Sequence, residues 1–242
     1  YLRHGNKPLA LRLFKPRGAG PFPMVVDLHG GAWTRGDRTD DTPINEPLAK
    51  SGVVVARLVS RHPPDPGYPG APADINYGIR WLKARAAELK GRADRVGVMG
   101  ISSGGQQAMM AAFRPDDPRY ASLPLAGKSE IDAKVNCVIL CWPVIDPLGR
   151  YEYAKGLKGT DKPGAELAER WIEAHDQYWG SEQAMIDGAV TRALEKGGKG
   201  PLPPVLYLQG TADIAHPRPN LDAFVAAYRK AGGQVDLNFF EG

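Results

Sequence analysis

Seven short apolar runs recur along the chain, and helical patterns lie between most of them. The runs are Ala10–Phe14, Met24–Leu28, Val53–Leu58, Arg95–Met99, Cys137–Trp142, Val205–Leu208 and Val235–Phe240. The helical patterns outside the long polar stretch are Ala73–Leu89, Gln106–Phe113 and Leu221–Ala231. Continuous runs of Val, Leu and Ile that alternate with helices predict a mostly parallel sheet covered on both faces. We therefore expect an α/β fold.

Residues 149–200 interrupt this alternation with a long polar stretch that carries helical patterns at Ala165–Tyr178 and Glu182–Glu195. The stretch is too long for a simple loop. We expect residues 1–148 and 201–242 to form one core domain, with 149–200 inserted as a helical cap over the active face; a surface decoration is the alternative. The aromatic residues of the insertion either line a pocket or hold the cap together: Tyr151, Tyr153, Trp171, Tyr178 and Trp179.

Composition excludes several classes of function. The 242 residues carry a net charge of +4, but the basic residues are scattered among acidic ones, so the pattern does not indicate nucleic-acid binding. No apolar run approaches the roughly 18–20 residues that span a bilayer. Cys137 and Cys141 would lie about 13 Å apart along one strand, too far for a disulfide. No zinc-like spacing and no phosphate-binding glycine motif occurs, so we expect no metal and no organic cofactor.

The segment RVGVMGISSGGQQAMM, residues 95–110, places glycines around a serine between a predicted strand and a predicted helix. That context is typical of the nucleophile elbow, in which a serine on a tight turn exposes its hydroxyl. The G-x-S-x-G frame selects Ser102, because Gly100 and Gly104 flank it, whereas Ser103 would need a glycine where Ile101 stands. An ordinary glycine-rich turn is the alternative interpretation.

The sequence HGGAW, residues 29–33, follows the second apolar run. Consecutive glycines after a strand leave backbone N–H groups unobstructed, as an oxyanion hole requires. Taken alone, the segment also fits a turn in which His29 packs locally.

Two aspartates follow later runs and are candidates for the acid that orients a histidine. Asp213 lies in QGTADIAHP and Asp146 in CWPVIDP. We favour Asp213, because a strand–loop–helix pattern surrounds it; an Asx turn is its other interpretation.

The segments HGGAW, YPGAPAD, GISSGG, WPVIDP and GTAD together resemble the α/β-hydrolase fold, in order and spacing, from about Leu9 to Gly242 outside the insertion. They are most similar to the esterase branch that includes the hormone-sensitive-lipase-like enzymes and the acetyl and feruloyl esterases. The resemblance implies Ser102 as nucleophile, Asp213 as acid, and the backbone N–H groups of Gly31, Ala32 and Ser103 as oxyanion donors. Gly30 and Trp33 would adjoin the substrate, with Trp33 narrowing the acyl pocket.

The base is harder to assign. This chain order places the histidine after the acid, in the loop that follows the last strand, and the sequence stops at Gly242. Of the five histidines only His216 follows Asp213, and a base three residues from the acid would need unusual geometry. We therefore expect the histidine beyond Gly242, with His216 as a substitute or a hydrolase without a base as the other possibilities.

The sequence as a whole predicts a serine esterase acting on small carboxylic esters, short-chain or aryl, through an acyl-enzyme on Ser102. A formamidase resembling kynurenine formamidase would use the same parts. A ligand-binding protein that kept the hydrolase fold without turnover is the rival from another class. The oligomeric state is not predicted.

Overall fold

The computed structural model describes residues 1–65 and 67–241, so the Gly242 end of the predicted core lies outside the described residues. The strands are β1 Leu2–His4, β2 Lys7–Leu9, β3 Leu11–Phe14, β4 Phe22–Leu28, β5 Val54–Leu58, β6 Gly91–Ile101, β7 Val138–Cys141, β8 Val205–Gly210 and β9 Val235–Phe240. The helices are α1 Thr42–Lys50, α2 Gly70–Ala84, α3 Ser103–Phe113, α4 Pro147–Leu157, α5 Ala165–Trp179, α6 Glu182–Asp187, α7 Val190–Glu195 and α8 Arg218–Lys230.

The seven apolar runs form one seven-stranded sheet in the order β3-β5-β4-β6-β7-β8-β9. β3 pairs antiparallel with β5, and the remaining neighbours pair in parallel. On one face, α2, α3 and α8 bury the main apolar core against the sheet; on the other face, α1 packs on Val25, Val55 and Met99. The predicted α/β class with a mostly parallel sheet and helices on both faces is confirmed.

Two helices and one hairpin are absent from the sequence prediction. α1 carries Pro43 in its first turn and Pro47 inside it, and α4 begins at Pro147 behind the capping carboxylate of Asp146. Proline is accepted in a first helical turn, where its missing N–H has no helical partner to lose, but it weakens the pattern that predicts a helix. β1 and β2 form a short antiparallel pair outside the main sheet.

Residues 149–200, the predicted insertion, fold into helical segments that pack on one another and on neighbouring helices. α4 packs against α5 and α6, and α7 packs against α3 and α8. The second helical pattern of the insertion is divided into α6 and α7 by Gly188 and Ala189. None of the helices in the described ranges is both long enough and apolar enough to cross a bilayer.

The start of α3 lies directly against the end of β4, and glycine makes this approach feasible. A Cβ atom on Gly104 would lie 2.2 Å from the carbonyl oxygen of Leu28 and 2.4 Å from that of His29. Both obstacles are backbone atoms, so they cannot move aside as a flexible side chain would. This contact brings the serine turn and the HGGAW loop together.

We expect Gly104→Ala to lower the free energy of unfolding by about 1–3 kcal/mol or more, because the added methyl group forces two backbone segments apart. Urea denaturation of the purified variant measures the loss. The matched control is Gly156→Ala in α4, where nothing lies within 4 Å of the added carbon; there we expect a gain of about 0.5–1 kcal/mol from reduced backbone entropy in the unfolded chain. Equal stability of the two variants would contradict the close-contact argument.

Candidate active site

Ser102 occupies a strained turn between β6 and α3. Its backbone has φ 53° and ψ −118°, in a region where a side chain is rarely accommodated. The Ser102 N–H donates to the carbonyl oxygen of Cys141 at 3.0 Å, and its own carbonyl accepts the N–H of Val144 at 2.9 Å. A Cβ atom on Gly100 would lie 2.2 Å from the carbonyl oxygen of Gly104. The glycines of the G-x-S-x-G frame therefore permit a turn that neighbouring backbone holds in place.

The HGGAW loop follows β4 and runs beside the elbow. Gly31, Ala32 and Trp33 all have positive φ, at 99°, 51° and 62°. Such a run turns successive N–H groups toward one side of the chain. Within the described ranges, the N–H groups of Gly31, Ala32 and Ser103 have no hydrogen-bond acceptor. The three predicted oxyanion donors are thus unoccupied N–H groups on two loops that meet.

Ser103 links those two loops through its side chain. Its hydroxyl oxygen accepts the backbone N–H of Trp33 at 3.1 Å, and Ser103 is 1% exposed. The local sequence predicts a role only for the N–H group of Ser103, because a hydrogen bond between its hydroxyl and a distant loop leaves no signal in the local pattern. The bond fixes the HGGAW loop relative to the elbow.

The side chains of Ser102, His216 and Asp213 form one hydrogen-bonded chain. The Ser102 Oγ lies 3.0 Å from His216 Nε2, and His216 Nδ1 lies 2.8 Å from Asp213 Oδ2. Asp213 is itself held, since Oδ2 accepts the amide of Gln209 at 2.7 Å and Oδ1 accepts the N–H groups of Ala215 and His216. This is the connectivity of nucleophile, base and acid in a serine hydrolase triad.

The structure corrects the expectation that His216 is badly placed to reach Ser102. The carboxylate of Asp213 accepts the N–H groups of Ala215 and His216, so the chain folds back in a compact turn. That turn sets Nδ1 against the acid and leaves Nε2 facing the serine. His216 therefore lies within hydrogen-bond distance of Ser102, and a histidine beyond Gly242 stays a prediction. The Asx turn weighed as an alternative for Asp213 is present as well, and it builds the acid–base pair.

At each residue of this pair, burial and the hydrogen bond between the two side chains shift the pKa in opposite directions. Burial lowers the pKa of His216 below its usual range, against the opposing hydrogen bond from Asp213, and the charge of Arg150 adds to the lowering. Burial raises the pKa of the Asp213 carboxyl. The hydrogen bond from the His216 side chain, the charge that His216 carries when protonated, and the backbone N–H groups of Ala215 and His216 all lower it, and the net pKa is lowered. The pair is therefore an anionic carboxylate beside a neutral imidazole near neutral pH.

Asp146, the competing acid, lies in a different set of contacts. Its Oδ1 accepts the N–H of Gly149 at 3.1 Å and so caps α4. Its carboxylate also pairs with the guanidinium of Arg192 at 2.9 Å. Both contacts give Asp146 a structural role that requires no histidine.

An open cleft of about 580 Å³ borders the elbow and the HGGAW loop. Its lining residues are Gly30, Gly31, Arg35, Gly36, Asp40, Asp41 and Ile101. A Cβ atom on Gly30 would lie 3.3 Å from the Cβ of Ser102, so this wall of the cleft adjoins the nucleophile. Asp41 at the polar rim of the cleft is held by the fully buried Arg57, whose guanidinium pairs with Asp41 at 2.5 Å and with Asp27 at 2.9 Å.

Trp33 points into the insertion. Its indole is 3% exposed, stacks on Tyr178 with ring centroids 5.5 Å apart, and meets Trp179 edge-to-face. The indole N–H donates to Gln106 at 3.0 Å. These contacts favour a role in fastening the insertion to the oxyanion loop over the narrowing of an acyl pocket, and contact of Trp33 with substrate stays a prediction.

The imidazole rings of three other histidines contact groups other than Ser102. His29 is buried, and its Nδ1 lies 2.7 Å from the carbonyl oxygen of Gly30, so it packs locally as the alternative interpretation held. His4 pairs with Asp74, and His175 is buried beside the carbonyl oxygen of Trp171. In the described ranges no group of three or more His, Cys, Asp or Glu side chains is arranged to hold a metal ion.

Comparison with known proteins assigns the family. The family model BD-FAE matches residues 11–218, which include the HGGAW loop, the elbow and the Asp213–His216 turn. The chain belongs to the BD-FAE family.

Relatives of this BD-FAE chain carry esterase names. It is 25% identical over 216 residues to the probable carboxylic ester hydrolase LipM of Mycobacterium tuberculosis, covering 89% of this chain and 47% of LipM. It is 26% identical to esterase LipC of the same organism, covering 86% of this chain and 49% of LipC. The BD-FAE chain thus spans about half the length of these two relatives.

A solved structure confirms the fold of the BD-FAE chain. Esterase 2 of Thermogutta terrifontis, phosphonylated by sarin, superposes with a TM-score of 0.76 at 26% identity, over 99% of this chain and 81% of that one. The expected α/β-hydrolase fold of the esterase branch is confirmed.

We expect Ser103→Ala to lower the free energy of unfolding by about 1–3 kcal/mol, because the buried N–H of Trp33 loses its acceptor. Ser122→Ala is the matched control: that hydroxyl also bonds to a backbone group, donating to the carbonyl oxygen of Arg119, but on the exposed surface. Thermal and urea unfolding of the two variants measure the difference. If Ser103→Ala proved as stable as Ser122→Ala, the link between the loops would not contribute to stability.

Proposed function

We propose that the protein is a serine hydrolase that cleaves carboxylic esters, short-chain or aryl, through an acyl-enzyme on Ser102. The observation that carries this proposal is the hydrogen-bonded chain from Ser102 Oγ through His216 to Asp213, with distances of 3.0 Å and 2.8 Å. The ester-hydrolase names of LipM and LipC support the class of reaction. The same geometry speaks against a purely ligand-binding role, whose main argument was a missing base.

In the proposed reaction, the neutral His216 accepts the Ser102 proton on Nε2 while Oγ attacks the ester carbonyl carbon. Negative charge gathers on the carbonyl oxygen, where the N–H groups of Gly31, Ala32 and Ser103 stabilise it. The imidazolium then donates its proton to the departing alkoxide, which leaves as the alcohol. A water molecule then attacks the acyl-enzyme while His216 accepts its proton. The imidazolium returns that proton to Ser102 Oγ as the bond between Oγ and the acyl carbon breaks, and the carboxylic acid is released.

Asp213 serves this cycle by fixing the tautomer of His216. Its carboxylate holds the proton on Nδ1, so that Nε2 presents its lone pair to Ser102. The negative charge also stabilises the imidazolium that forms after proton transfer. The three further hydrogen bonds to Asp213 keep the carboxylate in one orientation throughout.

We also infer that residues 149–200 act as a cap on the substrate site. Helix α5 borders the oxyanion loop, since Arg170, Glu173 and Ala174 line a small cavity together with Ala32 and Thr34. Buried Trp171, Tyr178 and Trp179 hold the cap together, while Tyr151 and Tyr153 are partly exposed and so are the aromatic side chains of the insertion left for substrate contact.

Ser102→Ala is expected to abolish labelling by a fluorophosphonate probe and to remove nearly all hydrolysis of p-nitrophenyl acetate, because the Ser102 hydroxyl is the one that His216 contacts in the described part of the chain. Esterase 2 of T. terrifontis is phosphonylated by sarin, which makes a phosphonylating probe a suitable reagent. Peptide mapping of the labelled wild-type protein locates the adduct. Ser103→Ala is the control and should keep its label and much of its activity. Label on Ser103, or equal loss in both variants, would overturn the assignment.

Asp213→Asn is expected to lower kcat/KM by about 10⁴-fold, the loss typical of a triad whose histidine holds the wrong tautomer. Asp146→Asn should stay within a few fold of the wild type, because that carboxylate caps a helix and pairs with Arg192. Steady-state kinetics on p-nitrophenyl acetate and on N-formylkynurenine measure both variants and separate esterase from formamidase. The opposite order of losses would move the acid to Asp146.

A further inference from the structure

Among the residues that the structure describes, Arg150 is a buried cation without a counter-ion. It lies in the first turn of α4 and is 3% exposed, with its guanidinium carbon 4.5 Å from the ring centroid of Trp171. Within residues 1–65 and 67–241, its Nε and Nη1 atoms have no hydrogen-bond partner, and no carboxylate oxygen lies within 4.0 Å of its nitrogens. Burying a guanidinium in this way is costly, so the fold retains Arg150 despite a cost that no direct pairing offsets.

Helices α4 and α5, between which Arg150 is buried, also contact the loop that carries Asp213 and His216. Tyr153 of α4 donates its hydroxyl to the carbonyl oxygen of Ile214 at 2.9 Å. Ala215, between the acid and the base, packs in the apolar cluster that contains Trp171 and Leu157. Arg150 therefore belongs to the part of α4 and α5 against which the Asp213–His216 turn packs.

The charge of Arg150 acts on both members of the pair. Burial lowers the pKa of Arg150 to about 10, and the charge of Asp213 is the leading influence that opposes the lowering. The charge of Arg150 in turn contributes to the lowered pKa of His216. Through a buried medium such an interaction is screened far less than at the surface.

Few other groups compete for this role. His216 contacts Ser102 of the elbow and Asp213 of its own loop. Arg150 of α4 lies over Trp171, and Trp171 belongs to the cluster on which the neighbouring Ala215 packs. Tyr153 of the same helix is neutral, because burial raises its pKa. On α5, His175 is neutral as well, because burial lowers its pKa to about 4. On α8, Arg218 and Asp222 neutralise each other in an exposed pair.

We propose that Arg150 is a positioning residue of the esterase site, whose unpaired charge on the cap keeps His216 neutral and Asp213 ionised, and so extends the activity to lower pH. The inference rests on the proposed function of Ser102, His216 and Asp213. In this proposal the insertion has a second role besides covering the substrate, because its first helix, α4, lowers the proton affinity of His216.

The test is the pH profile of kcat/KM for p-nitrophenyl acetate in wild type, Arg150→Met and Arg150→Gln. A positive charge disfavours imidazolium, so the wild-type acid limb should have its midpoint below 6.5, and removing the charge should raise that midpoint by on the order of one unit. At pH 8, where the base is neutral in all forms, rates should agree within a few fold. Arg150→Lys should keep the wild-type midpoint. Lys155→Met, which removes an exposed cation from the same helix, is the matched control and should not shift it.

A readout independent of turnover separates this inference from the proposed function. NMR titration of the His216 imidazole in Ser102→Ala protein should give a midpoint below 6.5 in the wild-type background and a higher one in Arg150→Met. A wild-type midpoint above 6.5 overturns the inference even if no neutral variant folds. Unshifted midpoints in folded Arg150→Met, with rates lowered equally at every pH, also overturn it and leave Arg150 a packing role. Absence of turnover in wild type would instead contradict the esterase proposal.

Discussion

The backbone contact between the first turn of α3 and the end of β4 is the constraint on which the site depends. Gly104 allows the helix to start against the carbonyl oxygens of Leu28 and His29, and this proximity brings the HGGAW loop beside Ser102. The hydroxyl of Ser103 then joins the two segments through the N–H of Trp33. A larger side chain at 104 would separate the nucleophile from the unoccupied N–H groups that face it.

The HGGAW loop also connects the site to the insertion. Trp33 leaves the oxyanion segment and enters the aromatic cluster with Tyr178 and Trp179, while α4 and α5 support the Asp213–His216 turn from the other side. The insertion therefore contacts the oxyanion loop and the acid–base loop, the two loops that flank the elbow. Changes within its helices are expected to reach the chemistry through packing and charge as well as through the shape of the substrate cleft.

The sequence predicted the sheet well because buried parallel strands leave continuous apolar runs that need no tertiary information. It also singled out Ser102, Asp213 and the HGGAW segment, since each follows a strand and has a distinctive local composition; their catalytic roles stay predictions. Helix α4 escaped prediction because Pro147 and Gly149 weaken the helical pattern that tertiary packing later overrides. The position of His216 escaped prediction for a related reason. A separation of only three residues from Asp213 suggests that the side chain cannot reach Ser102. The backbone N–H groups that Asp213 accepts nevertheless fold these residues into a turn that directs the imidazole toward the serine. Arg150 gave no signal, because an arginine in a polar stretch looks solvent-exposed until the packing of α4 on α5 is known.

Ser102, His216 and Asp213 are proposed to act as one unit. The most direct test is the rate of fluorophosphonate labelling in His216→Ala, in Asp213→Ala and in the double variant. Residues that act together show strongly non-additive losses. We predict that His216→Ala slows labelling by several orders of magnitude and that adding Asp213→Ala slows it little further, because the acid acts only through the base. Labelling of His216→Ala at the wild-type rate, or a double loss equal to the product of the single losses, would contradict the account.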